Sequence, residues 1–415
     1  MIVSKNTMKN LKYIFFLLCL TGINAFSQGG SNYSVFGIGD LIYSNGATAS
    51  GMAGTSIAVP SEYAINFRNP ALWSKVSTTR LQIGYLFNQH IVKDNSNTLF
   101  QNNGKVNQVS SVFSVDTANG MSFSFSIYPY SSQNYLIDYD KTQPFYEEEI
   151  NSNITYQGSG GISIAQLGFA TNIFKNFSIG AAAFLSFGNL ASSTTTIVYG
   201  ENTHQSISSM KDNFQSWGWK LGAIYSPFEN FTLGAFINNL KKFDFDREVI
   251  FESDLLSDST YTVNCSYQIP KEIGFGMSYL SDKFLFAADY SIQDFSNFSY
   301  KSGANTEFRK SSNYSIGVTR LGNKKAGASF ADRITYNFGL GYRELYYKIA
   351  GQNINEFLVS YGMDIPIVGN TMLHSSITIG QRGTQNSGLI KEYFGRLNVD
   401  LSIGEVWFKP IKREY

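Results

Sequence analysis

Strict alternation between apolar and polar residues runs through most of this chain and limits its fold more than any other feature. Because successive side chains of a β-strand point to opposite faces, an alternating segment predicts a strand with one apolar and one polar face. The segment GMSFSFSIYPY is typical, with serines between Met121, Phe123, Phe125 and Ile127. The segments FSIGAAAFLSFG, KFLFAADYSIQ and RLNVDLSIG repeat this pattern.

About fourteen such segments follow residue 78, and each is predicted to be a strand. They lie near residues 79–92, 105–115, 119–130, 161–174, 177–190, 213–226, 231–243, 268–280, 283–294, 311–320, 332–346, 354–365, 372–382 and 392–404.

The connections between these strands alternate between short and long. The tight ones have the sequences DTAN, KN, PFEN and SD, whereas those near residues 131–160, 191–212, 244–267 and 295–310 are long and polar. A transmembrane antiparallel β-barrel has this arrangement, with tight periplasmic turns and long outer loops. The connection at 321–331 is longer than such a turn should be. The alternative is a secreted β-sandwich, although its strands are usually only ~5 to 6 residues long.

The chain begins with the pattern of a secretory signal peptide. In residues 1–28, three lysines precede an apolar run that is too short to span a bilayer, and small residues follow at signal-peptidase spacing. Cleavage is predicted after Ser27 or Gln28. The exported chain then holds one cysteine, Cys265, which excludes an internal disulfide. Export and barrel together predict the outer membrane of a Gram-negative bacterium, with its lipid and lipopolysaccharide as surroundings.

Composition excludes one class of partner. Charged residues make up 15% of the chain, against ~25% in soluble globular proteins, and the formal net charge is +1. Lysine and arginine form no stripe or large cluster, so a nucleic-acid partner is not expected.

The segment Gly51–Val76, within residues 29–78, lacks the alternation of the later segments. It is rich in glycine, alanine and proline, which allow close backbone approach or interrupt a sheet ladder, and it contains apolar residues that argue against free exposure. A loosely attached N-terminus is the alternative. We predict that residues 29–78 plug the lumen, that 79–408 form the barrel, and that 409–415 form a periplasmic tail.

Two stretches of the plug carry a family resemblance. GMAGTSIAV, which contains Gly51 and Gly54, is followed by INFRNPALWSKV, in which an Asn-Pro-Ala motif falls on Asn69, Pro70 and Ala71. These stretches resemble the N-terminal hatch of FadL-type outer-membrane transporters of long-chain fatty acids and other hydrophobic compounds. The resemblance implies a fourteen-stranded barrel with a plug, and passive uptake of a hydrophobic small molecule.

The C-terminal segments also resemble PorV-type accessory barrels of a protein-secretion system. This second resemblance implies a different role, in which the barrel transports nothing. It would instead bind protein cargo, or other outer-membrane proteins, in a secretion or assembly complex.

Three further residues are candidates for function. In FadL-type transporters a kink in the third strand opens the wall sideways, and Pro129 in the third predicted strand could produce such a kink; its other role would be to end the strand. Trp407 and Phe408 close the last strand, where aromatic side chains form a girdle at the membrane surface or serve as an assembly signal.

Nothing in the sequence points to an enzyme. His90, His204 and His374 lie in a strand, a long loop and a strand start without metal-ligand spacing, and Glu147–Glu149 are expected to be a solvated charge run. No serine stands in a recognisable nucleophile context. We therefore predict no catalytic residues, no metal and no cofactor.

Overall fold

The polypeptide forms a closed, antiparallel β-barrel of 14 strands, as the alternation predicts. The structure, a computed structural model, describes residues 29–407 except 94–97, 147, 201, 302–304 and 326. The predicted signal peptide, Glu147, Phe408 and the predicted tail lie outside the described residues. Tight turns occupy one rim, which we call periplasmic because outer-membrane barrels place their short turns there; the opposite rim is called extracellular.

The strand segments are numbered in chain order. They are β1 (Asp40–Leu41), β2 (Thr79–Lys93), β3 (Thr98–Asp116), β4 (Met121–Pro129), β5 (Ser131–Phe145), β6 (Glu148–Phe174), β7 (Phe177–Tyr199), β8 (His204–Phe228), β9 (Phe231–Leu240), β10 (Phe243–Ser253), β11 (Ser259–Tyr267), β12 (Glu272–Ser281), β13 (Phe284–Asp294), β14 (Thr306–Phe308), β15 (Lys310–Arg320), β16 (Thr335–Ile349), β17 (Gln352–Pro366), β18 (Met372–Gly383) and β19 (Lys391–Glu405). Short helical segments span Asn32–Val35, Ala47–Gly51, Pro70–Lys75, Phe330–Arg333 and Asn386–Gly388.

Several barrel strands consist of two consecutive segments. β4 and β5 both pair with β6, and β9 and β10 both pair with β8. β11 with β12, and β14 with β15, divide a strand in the same way. The barrel closes where β19 pairs with β2 from Thr79 to Lys93. β1 is not a wall strand, because it belongs to the N-terminal segment inside the barrel.

The two faces of the wall differ as the alternation predicts. Phe123, Phe125 and Ile127 of β4 are exposed on the outside, whereas Ser124 and Ser126 are buried on the inside. The lumen can accept polar side chains because the plug supplies hydrogen-bonding partners for them. Among the described residues, no helix has the length and apolar character needed to cross a membrane.

The prediction of long polar loops is largely wrong, because most of these segments form strands. Residues 131–145, 148–160, 191–199, 204–212, 243–253 and 259–267 continue the strands above the barrel. Their threonines, tyrosines and valines favour strands, and each neighbouring strand offers backbone partners to the next. His204 is consequently the first residue of β8 and does not lie in a loop. The connection after β15 is indeed long and contains the short helix Phe330–Arg333.

The segment after β13 turns inward and covers the extracellular end of the lumen. Phe295, Phe298 and Tyr300 are buried there, pack against aromatic residues of the strands, and belong to one hydrophobic cluster with residues of the N-terminal segment. The Tyr300 hydroxyl donates to Asp212, which also accepts two hydrogen bonds from Arg247. The extracellular end of the lumen is therefore closed by an aromatic core.

Candidate functional site in the barrel lumen

The plug docks on a ring of inward-facing glycines. A Cβ atom added at Gly180, Gly234 or Gly339 would lie within 2.4 Å of a backbone atom of the plug. The wall strands can therefore approach the plug backbone only where they carry no side chain. Further wall glycines close to the plug are Gly168, Gly222, Gly274, Gly276, Gly317 and Gly362.

The Asn-Pro-Ala motif lies at the centre of this interface. Asn69 is fully buried, and its amide donates to the carbonyl oxygens of Ile57 in the plug and Ala223 in β8. Its side-chain oxygen accepts from the N–H of Ala71 and so caps the segment Pro70–Lys75. Pro70 begins that segment, where its missing N–H leaves no donor unpaired. The motif therefore orders the plug and binds it to the wall.

Gly51 and Gly54 are required for different reasons. The added Cβ of Gly51 would lie 2.9 Å from Cα of Gly362, so two backbones touch at this point. Gly54 has a φ of +95°, which favours glycine, and its N–H donates to Ala49 where the helix Ala47–Gly51 ends.

Carboxylates of the wall accept backbone donors of the plug. Asp289 accepts from the N–H groups of Ser56 and Ile57 at 2.6 and 2.8 Å, and Asp400 accepts from Ala47 at 2.5 Å. Hydrogen bonds to a charged acceptor are stronger than neutral ones, so these contacts fix the register of the plug.

His374 is an anchor of the plug, although Thr48 and Asp364 beside it suggest a catalytic triad. Thr48 and Asp364 both contact Nδ1 of His374, at 3.0 and 2.7 Å, while Nε2 faces the carbonyl of Tyr63. A triad requires the nucleophile and the carboxylate on opposite ring nitrogens. In the described part of the chain, no group of three or more His, Cys, Asp or Glu side chains could hold a metal ion.

A buried charge cluster lies in the extracellular half of the lumen. Glu356 accepts from Arg343 at 2.7 Å and from Arg382 at 2.5 Å, and Arg396 lies 3.6 Å away. The N-terminal segment joins this cluster through Asp40, which is 2.7 Å from Arg382. Glu392, also in this region, accepts from Ser31 and from the N–H of Asn32.

Tyr43 links the charge cluster to the lower part of the plug. Its ring lies 4.9 Å below the guanidinium of Arg343, and its carbonyl accepts from Arg68, which also bonds Glu272 on the wall. Burial raises the pKa of Tyr43 to about 12, so the phenol is neutral and acts as a hydrogen-bonding group.

The wall is interrupted next to Pro129. β3 pairs with β4 only up to the pair Val109–Ile127, and the strand bends at Tyr130 before β5 begins. Within the described residues, no ladder joins the upper part of β3 to β5. β1 instead pairs with Ser131 and Ser132 of β5 and takes the place of β3 at this height.

Two cavities meet at this interruption. A cavity of about 320 Å³ opens between β3 and the junction of β4 and β5, and Pro129 lines it. A polar cavity of about 80 Å³ lies behind it between the N-terminal segment and the charge cluster. Lys105 and Ser132 line both cavities. The interruption is thus the point where the outside of the wall approaches the lumen.

Trp407 lies just beyond β19 at the periplasmic rim. The residue is 59% exposed, and its ring centroid lies 5.7 Å from that of Phe113. This position fits a membrane-surface girdle, and the assembly signal stays a prediction.

The sequence gives little sign of the charge cluster or of Lys105. Arg343, Glu356, Arg382 and Arg396 come from four strands, and each alone is one polar residue on an inward face. What the four residues share is a charged side chain on the inward face, at similar heights on neighbouring strands. This can be recognised only once the register of the strands is known.

Solved structures with a similar fold include a FadL homologue and two toluene transporters. A Pseudomonas aeruginosa FadL homologue superposes with a TM-score of 0.61 at 10% identity, covering 88% of this chain and 99% of that one. The P. putida toluene transporter TodX gives 0.59 at 15% identity, with 89% and 100% covered. The Ralstonia pickettii toluene transporter TbuX gives 0.56 at 13% identity, with 86% and 97% covered. At these identities the likeness establishes the fold, and the predicted FadL-type architecture is confirmed.

A comparison with curated proteins finds no match. The family model described as BamG, in contrast, matches residues 8–414. Since that match spans the plug and the whole barrel, the chain belongs to the BamG family.

Proposed function

We propose that this protein is an outer-membrane barrel that takes up hydrophobic small molecules through the interruption between β3 and β5. The observation that carries the proposal is the cavity at Pro129, which opens on the outside of the wall and shares Lys105 and Ser132 with the cavity behind it. An apolar molecule on this route would enter or leave through the membrane face, and displaced water would favour its binding. The likeness in fold to channels for toluene and monoaromatic hydrocarbons supports this proposal.

The N-terminal segment closes the route from the inside. The N–H of Asn134 on β5 donates to the hydroxyl of Ser34 at 3.0 Å, and the N–H of Ile42 donates to the carbonyl of Tyr130 at 2.9 Å. Passage therefore requires residues 29–42 to move away from β5. A covalent link between residues 34 and 134 would prevent that movement.

A disulfide across this contact is expected to stop uptake. In a Cys265→Ser background, the double substitution Ser34→Cys and Asn134→Cys would fix the N-terminal segment to β5. We expect at least a tenfold slower uptake of a hydrophobic probe into cells in the oxidised form, and recovery after reduction. The two single-cysteine variants are the matched controls. Equal uptake by the oxidised and reduced double variant, with the disulfide confirmed by mass spectrometry, would rule out this route.

Lys105 suggests that the ligand carries a carboxylate, as a long-chain fatty acid does. Its side chain lines both cavities, and Arg343 and Arg396 line the inner one. A hydrogen bond to a charged group contributes about 1.5–3 kcal/mol, which corresponds to roughly 10- to 150-fold in affinity.

Lys105→Gln is accordingly expected to weaken the binding of oleate at least tenfold and to leave oleyl alcohol unaffected. Binding of each compound to the purified protein would be measured by calorimetry. Lys175→Gln, in the exposed turn between β6 and β7, is the control. Equal losses for oleate and for the alcohol would argue against a carboxylate site.

A second function is favoured by the filled lumen. The plug, the charge cluster and the aromatic core occupy the lumen, and two cavities beside the plug measure about 80 and 40 Å³. In this second role the barrel would be an accessory subunit that binds another outer-membrane protein, as PorV-type barrels suggest. The experiment in the next subsection tests that role.

A further inference from the structure

Six strand segments continue past the barrel as a sheet that we call the blade. It consists of β5, the part of β6 before Gly161, the part of β7 after Gly188, the part of β8 before Asn213, β10 and β11. β6 alone has 27 residues, whereas ~10 are enough to cross an outer membrane. The blade begins near the exposed Lys241 and Lys242. Above these lysines β10 carries carboxylates on its outer face, and charged side chains facing lipid are unfavourable, so this part of the sheet is expected to lie outside the membrane.

The blade has two free edges. Above Ser132, β5 forms a ladder only with β6, and β11 forms one only with β10, within the described residues. The edge of β11 is free because β13, which pairs with β12 below it, ends at Asp294 and its continuation turns into the lumen. Each edge presents a row of backbone N–H and C=O groups that can pair with another strand.

Only one of these edges is protected. β5 carries Asp138, Asp140, Lys141 and Pro144, and charges and proline are the features that keep natural edge strands from pairing. β11 has the sequence STYTVNCSY, without a charge or a proline and with residues that favour strands. The edge of β11 is therefore open to a partner strand, whereas that of β5 is guarded.

The inner face of β11 carries two apolar residues at its centre, although Arg247 of β10, which is paired with Asp212, lies opposite one of them. Tyr261 is 55% exposed and Val263 is 43% exposed. On the neighbouring β10, Val249 lies opposite Tyr261 and extends this face. A partner strand would therefore gain apolar contacts with alternate side chains.

The outer face of the same edge is acidic. The β11 residues on this face are short and uncharged, namely Thr260, Thr262 and Asn264. Behind them on β10 lies a row of exposed carboxylates, Asp244, Asp246, Glu248 and Glu252, which outnumber the neighbouring Lys242 and Lys211. Neighbouring strands are ~4.8 Å apart, so long basic side chains on a strand beside β11 can reach across these short residues.

We propose that the edge of β11 binds an extended segment of a different surface protein, which pairs antiparallel with β11 and adds a seventh strand to the blade. The segment carries apolar residues on its inner face and lysine or arginine on its outer face. This inference names the partner class for the second function proposed above and does not depend on the uptake route. Strand addition of this kind uses backbone hydrogen bonds for affinity and alternate side chains for specificity.

A second copy of this chain does not fit the edge. Two copies in one membrane, related by a two-fold axis along its normal, would place identical β11 residues side by side at the same height in parallel strands. A parallel ladder instead requires its bonding residues to be staggered. The two carboxylate rows would also be brought together, and like charges repel.

The test uses the full-length protein in phosphatidylcholine nanodiscs and a synthetic peptide as the probe. The peptide has nine residues, with lysine and arginine alternating with valine and tyrosine, and a matched peptide has glutamate at the basic positions. Binding is measured by fluorescence anisotropy at low ionic strength, and the bound edge is located by hydrogen exchange. We expect the basic peptide to bind at least tenfold more tightly and to protect the amides of 259–267 but not those of 136–144.

Three variants make the test specific. Val263→Lys places a charge on the open edge and is expected to weaken basic-peptide binding at least tenfold. Tyr139→Lys places the same charge on the same face of the guarded edge and should leave binding unchanged. Glu248→Lys combined with Glu252→Lys should reverse the preference between the two peptides. Heat-dependent mobility in gels verifies that each variant is folded.

The inference is overturned by any of three results. These are basic-peptide binding that Val263→Lys does not change, protection of 136–144 instead of 259–267, and self-association of the protein that protects 259–267 without peptide. None of them would alter the outcome of the disulfide experiment, so a failure of this inference is distinguishable from a failure of the uptake proposal.

Discussion

Replacing Gly339 by alanine is expected to displace the plug and to lower the free energy of unfolding by roughly 3 kcal/mol. The new Cβ would lie 2.2 Å from the carbonyl carbon of Met52 and 2.4 Å from the nitrogen of Ala53. Both are backbone atoms, so no side chain can rotate away, and either the helix Ala47–Gly51 or β16 must shift. The Ala53 N–H also donates to Ser360, and this hydrogen bond would be strained by the shift.

The measurement is a urea titration of the protein in detergent micelles, followed by tryptophan fluorescence. Protease digestion reports the plug separately, because a displaced plug should be cut within residues 29–78. Gly395→Ala is the matched control, since Gly395 also lies in a strand but an added Cβ there meets no atom within 4 Å. If both variants unfold alike and both plugs resist protease, the wall glycines do not seat the plug.

The second large effect is expected from Glu356→Gln. Glu356 is fully buried and is shared by Arg343, Arg382 and Arg396. The substitution keeps the size of the side chain but removes its charge, so the buried Arg343 and Arg382 and the partly buried Arg396 would retain only Asp40 and Glu392 as carboxylate partners nearby. Removing one member of a buried ion pair typically costs about 3–5 kcal/mol.

Urea titration under the same conditions tests this expectation. Glu307→Gln is the control, because Glu307 pairs with Lys348 at 3.0 Å but is largely exposed, and exposed ion pairs contribute about 0–1 kcal/mol. Asp40 and Ser31 bind Arg382 in the same cluster, so we expect Arg382 to keep its contacts with the N-terminal segment in this variant. A loss of stability no larger than that of Glu307→Gln would show that the cluster does not hold the fold together.

The alternation predicted the wall well because lipid and plug impose opposite requirements on the two faces. In β13, Phe284 and Phe286 are exposed on the outside, whereas Asp289 on the opposite face is buried and accepts hydrogen bonds from the plug. The period of two was therefore enough to predict the fold class, the number of strands and which face of each strand points outward. The plug was predictable in the same way, from its lack of any period.

The blade was not predictable from alternation, because both of its faces meet solvent. Segments such as Thr194–Thr196 on β7 are polar on both sides and read as loops, although neighbouring strands give them backbone partners. The closure of the extracellular end of the lumen was not predicted either, for a related reason. Phe295, Phe298 and Tyr300 lie in an irregular segment, and nothing local shows that they turn into the lumen.

The roles of single site residues could be predicted only in part. Asn69 was identified through a family motif, but its bond to Ala223 of β8 depends on which strand faces the plug. Pro129 ends β4, and only the structure shows that β1 pairs with Ser131 and Ser132 directly after it, while its role in a lateral opening stays a prediction. These contacts join residues that are far apart in the sequence. A single sequence does not show which distant residues meet.

The close fit between plug backbone and wall glycines also determines the order in which the molecule can be built. Backbone atoms that touch on several sides of the cylinder cannot be threaded into a finished ring, because no side chain can fold aside to let them pass. The N-terminal segment must therefore be in position while the first and last wall strands, β2 and β19, are still unpaired. We therefore expect β2 and β19 to pair only after the plug is in place.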